Sequence, residues 1–202
     1  MTAPRLKFWY EFASTYSYLA AMRIDAAAEA AGVEVAWQPF LLGPIFRNQG
    51  WSTSPFNIYP AKGRYMVRDV ARIATSRGLE FRMPDPFPAN TLKAARLRSS
   101  ASTRGGWRHS RAPCSRPSSG TGSTSRARRC WARSWPGLGL DAPALIERST
   151  DPKIKERLRA ATAEAEASGI FGAPSFVTPD GELFWGDDRV EAALAAAANS
   201  AT

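Results

Sequence analysis

Cysteine is scarce in this chain. Only Cys114 and Cys130 occur, and they do not form a C-x-x-C pair. That excludes a disulfide framework and a zinc signature, and no metal site is expected. No apolar run is long enough to span a membrane, so no membrane partner is expected either. Arg5 and Lys7 precede a strand-like run that contains Glu11, with no small-residue cleavage site. No secretion signal is read there, and a cytoplasmic protein is expected. At 202 residues the chain suits one domain, or one domain with a sizeable insertion.

A second set of absences is local. From Arg98 to Gly137 there is no Asp, Glu or Lys, and no Val, Ile, Leu, Met or Phe, but there are nine Arg. The whole chain has 27 basic and 18 acidic residues, so removing these nine leaves 27 − 9 = 18 against 18. The net charge of +9 therefore belongs to one 40-residue block, which also holds both cysteines, His109 and Trp107, Trp131 and Trp135. A segment this poor in apolar residues cannot bury enough surface to order itself. It reads either as a basic insert able to bind polyanions or as a reading-frame error. Every residue type in it except His109 has G or C at the second codon position, as the wobble base of a GC-rich gene would give when read as the middle base. Helix-like sequence stops at Leu97 and resumes at Leu138, as two compensating frame shifts would produce. The frame-shift reading is adopted here, and no nucleic-acid partner is expected.

What is present is a stretch around which the rest is arranged, LKFWYEFASTYSYLA from Leu6 to Ala20. Its aromatic and branched residues suit a buried strand, and Ser14 suits a helix N-cap. The backbone N–H groups of such a turn favour an anion or a thiolate. Tyr16–Ala31 reads as one helix, with Leu19, Met22, Ala26 and Ala30 at helical spacing and Gly32 as its stop. Val33–Leu42 alternates as a strand. Gly43–Pro60 reads as loop, Ala61–Arg77 as a helix on Met66, Val70 and Ile73, and residues 82–90, with three prolines, as neither. Helices are expected from Thr91, over Asp141–Glu147, and after Asp151-Pro152, where Ile154, Leu158, Ala161 and Ala165 share a face. A strand Ser175–Thr178, a turn Pro179-Asp180-Gly181 and a strand Glu182–Trp185 follow. Asp188, with Glu191 at capping-box spacing, should start a last helix.

The order is βαβ, then helices, then ββα. That is an α/β, thioredoxin-like topology with an inserted helical domain: residues 1–57 and 169–202 form the thioredoxin-like parts, and 58–168 the insertion. In this topology the Ser14 turn faces the loop Gly172-Ala173-Pro174-Ser175, and an X-Pro step there is a candidate cis peptide. Its backbone at Ala173 could pair with a bound peptide as an added strand. Thioredoxin-type oxidoreductases would carry C-x-x-C at the first turn, whereas this chain has Ser14-Thr15-Tyr16-Ser17. Serine cannot exchange disulfides, but it can hydrogen-bond a thiolate supplied by another molecule and lower its pKa. The residues therefore point to a binder of an external thiol, most simply glutathione.

FASTYSYLA, PAKGRYMVRD, FPAN, GIFGAPSFV and FWGDDR, in this order, resemble the 2-hydroxychromene-2-carboxylate isomerase family, itself similar to kappa-class glutathione transferases and DsbA-like oxidoreductases. The resemblance implies that Ser14 is the catalytic serine holding the glutathione thiolate. It implies that Ala173, before Pro174, contacts the cysteinyl part, and that Trp185, Gly186, Asp187 and Asp188 bind the γ-glutamyl end. Lys62 would meet the glycine carboxylate, while Asn90 and Asn57 would face the substrate. As plain residues, Lys62 reads equally well as a solvated helix lysine and Asn90 as a helix cap. Trp51, Phe56, Tyr59 and Phe87 could line a pocket for a flat aromatic acid. Where the family has proline after the serine, this chain has Thr15.

The implied reaction interconverts 2-hydroxychromene-2-carboxylate and trans-o-hydroxybenzylidenepyruvate, with glutathione as cofactor. Alternatives are a kappa-class-like glutathione transferase, a DsbA-like thiol-dependent enzyme, and a protein inactivated by the 98–137 segment. Relatives of this kind are often dimers, so a homodimer is among the expectations, although no residue marks its interface.

Overall fold

The strand β1, Arg5–Tyr10, lies inside the sheet, with Leu6, Phe8 and Trp9 wholly buried. The computed structural model describes residues 3–100 and 147–200. Residues 101–137 of the basic block, and all but the last residue of the helix expected over Asp141–Glu147, lie outside the described residues. β1 pairs in parallel with β2, Glu34–Pro39, and antiparallel with β3, Ser175–Val177; β4, Leu183–Trp185, pairs antiparallel with β3. The resulting four-stranded order is β2-β1-β3-β4. Phe8 and Tyr10 pack with Trp37 and Phe176 on one face, while Trp9 packs with Phe40, Ile45 and Val177 on the other. Burial on both faces is why the second half of β1, Phe8-Trp9-Tyr10, reads as an apolar run, whereas Arg5 and Lys7 alternate with buried Leu6 and Phe8.

The single helix expected over Tyr16–Ala31 is two, α1 (Thr15–Ala21) and α2 (Ile24–Ala31). Arg23 leaves the helical conformation between them, at φ −133°, and turns its guanidinium toward Asp187. The buried face is accordingly Leu19, Ala20, Ile24 and Ala28; Met22, Ala26 and Ala30 face solvent. Gly32 ends α2 at φ +67°, in the left-handed region that glycine enters without a Cβ penalty.

The expected Gly43–Pro60 loop instead holds α3 (Leu42–Asn48) and α4 (Pro55–Ile58). Leu42 and Ile45, one turn apart, are buried, and Pro44 is tolerated because the first turn of a helix has no intrahelical partner for its missing N–H. α5, Pro60–Ser76, buries Met66, Val70 and Ala74, with Ile73 only partly covered. Residues 82–90 contain neither helix nor strand, as expected. α6 spans Leu92–Ser100, and α7, Pro152–Ala167, is capped by Asp151, whose carboxylate accepts the Lys153 N–H at 2.8 Å. Ile154, Leu158 and Ala165 are buried as the spacing predicts.

β3 ends one residue short of Thr178, which closes the hairpin by accepting the Glu182 N–H at 2.9 Å. Asp188 does not cap the last helix. A 3-10 turn, Asp187–Arg189, precedes α8, Val190–Asn199, and Glu191 bonds Arg23 instead of closing a capping box. Val190, Leu194 and Ala197 form the buried stripe as expected.

Asp187, only 4% exposed, joins three elements. Arg77, at the end of α5, donates to both of its carboxylate oxygens at 3.0 and 2.7 Å, and Arg23 Nε donates at 3.2 Å. A buried carboxylate is costly unless paired in this way. Asp187→Ala should lower stability by about 2–3 kcal/mol in urea unfolding. Arg77→Met should cost less, because Arg23 still covers the carboxylate.

Candidate functional site

Ser14 follows β1 in a tight turn. Its N–H donates to the Glu11 carbonyl at 3.0 Å, and its Oγ accepts the Ser17 N–H at 3.2 Å, which caps α1 as the sequence predicts. Its own hydroxyl donates to the Ala173 carbonyl at 2.9 Å, across 159 positions of sequence. The Ala173–Pro174 peptide is cis. The two halves expected to meet are thus in direct contact. Ser17, where a second thiol would stand in a redox pair, is buried, and its Oγ faces inward to accept the Glu11 N–H at 3.4 Å.

The neighbouring loop is braced against this contact. Gly186 donates its N–H to the Pro174 carbonyl at 3.0 Å and has φ +116°, a conformation other residues rarely adopt. Trp185 lies over Gly172 so closely that a Cβ there would fall 2.3 Å from the indole Nε1. The half-exposed indole also meets Phe171 edge-on at 5.0 Å. Asp187 is occupied by its two arginines, whereas Asp188 presents an exposed carboxylate 3.6 Å from Arg189.

On the other side of the Ser14 turn lies an open groove of about 460 Å³ between α4, α5 and the proline-rich segment. Phe56, Met66, Met83 and Phe87 form apolar walls, and Asn57 lines it too. Thr15 Oγ1 donates to Met66 Sδ at 3.3 Å and the Tyr16 ring meets Phe56 at 6.3 Å, so groove and turn share a wall. Asn57 donates to the Phe87 carbonyl at 3.3 Å and to Thr53 Oγ1 at 3.2 Å. Lys62 Nζ stands 5.8 Å from the centre of the Phe56 ring, beside the groove rather than among its lining residues. Asn90 is not brought to the groove; its carboxamide oxygen accepts the Leu92 N–H at 3.3 Å at the start of α6. Of the four aromatics proposed for a pocket, Phe56 and Phe87 line the groove, Trp51 packs on Phe46, and Tyr59 is exposed.

Glu11 is not among the residues the sequence points to as a site, though an acid inside an apolar run is a signal for it. It lines a small cavity of about 20 Å³ with Ser14, Ser17 and Tyr18, and Oε1 accepts the Leu42 N–H at 3.0 Å. Burial pushes its carboxyl up to about 7, against the lowering effect of that N–H. Between about pH 4.5 and pH 7 the folded chain therefore holds a proton that the unfolded chain has lost, and stability falls as pH rises through that window. Glu11→Gln should remove this slope, which amounts to at most about 3 kcal/mol, in urea unfolding series on either side of the window.

A family model described as DSBA-like thioredoxin domain matches residues 5–198. A 2-hydroxychromene-2-carboxylate isomerase of Sphingobium xenophagum is 26% identical over 198 residues, covering 92% of this chain and 94% of that one. A glutathione S-transferase kappa 2 of Caenorhabditis elegans is 26% identical over 206 residues, covering 92% and 88%. Among solved structures, a 2-hydroxychromene-2-carboxylate isomerase superposes with a TM-score of 0.74 at 20% identity, over 98% of this chain and 96% of that one. A probable DsbA oxidoreductase of Streptomyces coelicolor superposes with a TM-score of 0.62 at 19% identity, over 98% and 89%. The mixed sheet, the turn at Ser14 facing a cis-proline loop, and a match running through nearly the whole chain lead to one conclusion: the chain belongs to the DsbA-like thioredoxin domain family.

Proposed function

We propose that the chain is a glutathione-dependent isomerase interconverting 2-hydroxychromene-2-carboxylate and trans-o-hydroxybenzylidenepyruvate, or a closely similar aromatic acid. The observation that carries this reading is the Ser14 hydroxyl, held 2.9 Å from the Ala173 carbonyl where a redox relative would have a thiol. A hydroxyl there cannot form a disulfide but can donate to a sulfur. The isomerase and kappa-class relatives, at equal identity over most of their length, agree with a glutathione site.

The residues present fit a tripeptide thiol. Ser14 offers a hydroxyl donor, Ala173 a backbone edge beside the cis peptide, Asp188 an exposed carboxylate for an ammonium, and Lys62 a cation for a carboxylate. Glutathione, when bound, supplies the nucleophile that adds to the conjugated system of the substrate and leaves again unconsumed. The work of the chain is then positional and electrostatic. Ser14 turns its hydroxyl from Ala173 to the sulfur and stabilises the thiolate. Ala173 and Pro174 align the cysteinyl backbone. Trp185 and Gly186 shape the γ-glutamyl end, and Asp187 keeps that loop in place through Arg77 and Arg23. Phe56, Met66 and Phe87 hold a flat acid beside the turn, with Asn57 as a polar contact.

Glutathione should raise the melting temperature, and the rise should keep growing with the logarithm of its concentration above Kd. Ser14→Ala should cut turnover of the chromene by about 100-fold, while loss of the cap costs only about 1 kcal/mol of stability. Unchanged turnover would remove Ser14 from this role. A kappa-like transferase would instead form a stable conjugate with an electrophile and leave the chromene unaltered; a substrate panel with glutathione separates the two.

A further inference from the structure

The groove is apolar apart from Asn57 and two charged residues of opposite sign, Arg64 on α5 and Asp85 in the proline-rich segment. Asp85 sits on the opposite wall, next to Met83 and Phe87. Among the described residues, neither side chain makes an ion pair or a hydrogen bond, with the other or with any neighbour. This sets Arg64 apart from Arg23, Arg72 and Arg77, which are all committed to carboxylates of the chain. A guanidinium with no partner on an otherwise apolar wall is a receptor for a planar anion, and its fork matches a carboxylate through two parallel bonds. A carboxylate with no partner on the facing wall rejects a second anion but accepts a hydroxyl proton.

We infer that the groove selects a hydroxylated aromatic acid, with Arg64 taking the carboxylate and Asp85 accepting the hydroxyl, while the Phe56 and Phe87 walls hold the ring. The inference rests on the groove being the substrate side of the proposed isomerase, and it assigns the two ends of that substrate. Arg64 is a binding and orienting residue, not one that acts on the thiol. Its charge fixes which end of the acid lies toward α5, and hence which carbon faces Ser14 across the shared wall of Thr15, Met66 and Tyr16.

The test is calorimetric and uses probes that need no turnover: trans-2-hydroxycinnamate, its amide, and trans-cinnamate, each titrated into the whole chain without glutathione. The acid should bind the unsubstituted protein about tenfold more tightly than the amide. Arg64→Leu should erase that preference, and Arg64→Lys should restore part of it. Arg68→Leu removes an equal charge one turn along α5 from a residue that does not line the groove, and should change nothing. Asp85→Ala should abolish the preference for 2-hydroxycinnamate over cinnamate. Arg64 and Asp85 are exposed, so melting temperatures of these variants should match the parent and exclude misfolding. Failure of the acid to bind, equal binding by Arg64→Leu, or the same loss in Arg68→Leu would overturn the inference. Persistence of the hydroxyl preference in Asp85→Ala would overturn the Asp85 assignment. The glutathione reading fails separately, by absence of a glutathione-dependent thermal shift.

Discussion

The burial of β1 on both faces is the constraint from which the rest follows. Leu6, Phe8 and Trp9 are wholly removed from water, each worth about 1.5–3 kcal/mol, and they can be so only if helices cover both sides of the sheet. β1 must also pair on both edges, with β2 in parallel and β3 antiparallel. The register Trp9↔Ser175 then leaves Ser14 and Ala173 just beyond the ends of their strands and close enough to bond. The site is therefore a by-product of a core requirement: the chain cannot pair its first strand correctly without bringing these loops together.

Much of this was legible in the sequence because the signals were local and chemically unambiguous. The apolar run of β1, glycine after α2, Asp151-Pro152 before α7 and the Pro179-Asp180-Gly181 turn each state a backbone preference within a few residues. The meeting of Ser14 with Ala173–Pro174 was legible once the order of elements had suggested a topology. What was not legible depended on partners distant in the chain. The break at Arg23 and the failed cap at Asp188 share one cause: Arg23, Arg77, Asp187 and Glu191 satisfy one another, and no local pattern announces that. The helix α3 was hidden by Gly43 and Pro44, which read as loop until the burial of Leu42 and Ile45 is known. For the candidate site, Asn90 illustrates the opposite limit. It stands within FPAN, one of the segments that carry the family resemblance, yet its carboxamide serves the start of α6.

Charge is divided by task. Asp187 is spent inside the fold, where its two arginines make it a joint between α5, the α1–α2 junction and the approach to α8. Glu11 is half-buried with a backbone donor from Leu42, and its withdrawal from water raises its carboxyl to about 7, so it is not a permanent anion. Asp188, Lys62, Arg64 and Asp85 remain at the surface around the turn and the groove. The same residue types thus brace the fold where they are buried and paired and stay in water where they are exposed, and sequence alone does not sort them.

The bond from Ser14 to the Ala173 carbonyl has a consequence for how a thiol would be held. In the free protein this hydroxyl already has an acceptor, so a thiolate arriving at the turn replaces a contact instead of adding one. The net gain is the difference between two acceptors, not the whole worth of the new bond. Such an exchange keeps the thiol loosely retained while still stabilising its charge, and it leaves no orphaned donor when the thiol departs. A catalyst that must return its thiol unaltered after every cycle gains from a grip that is cheap to release.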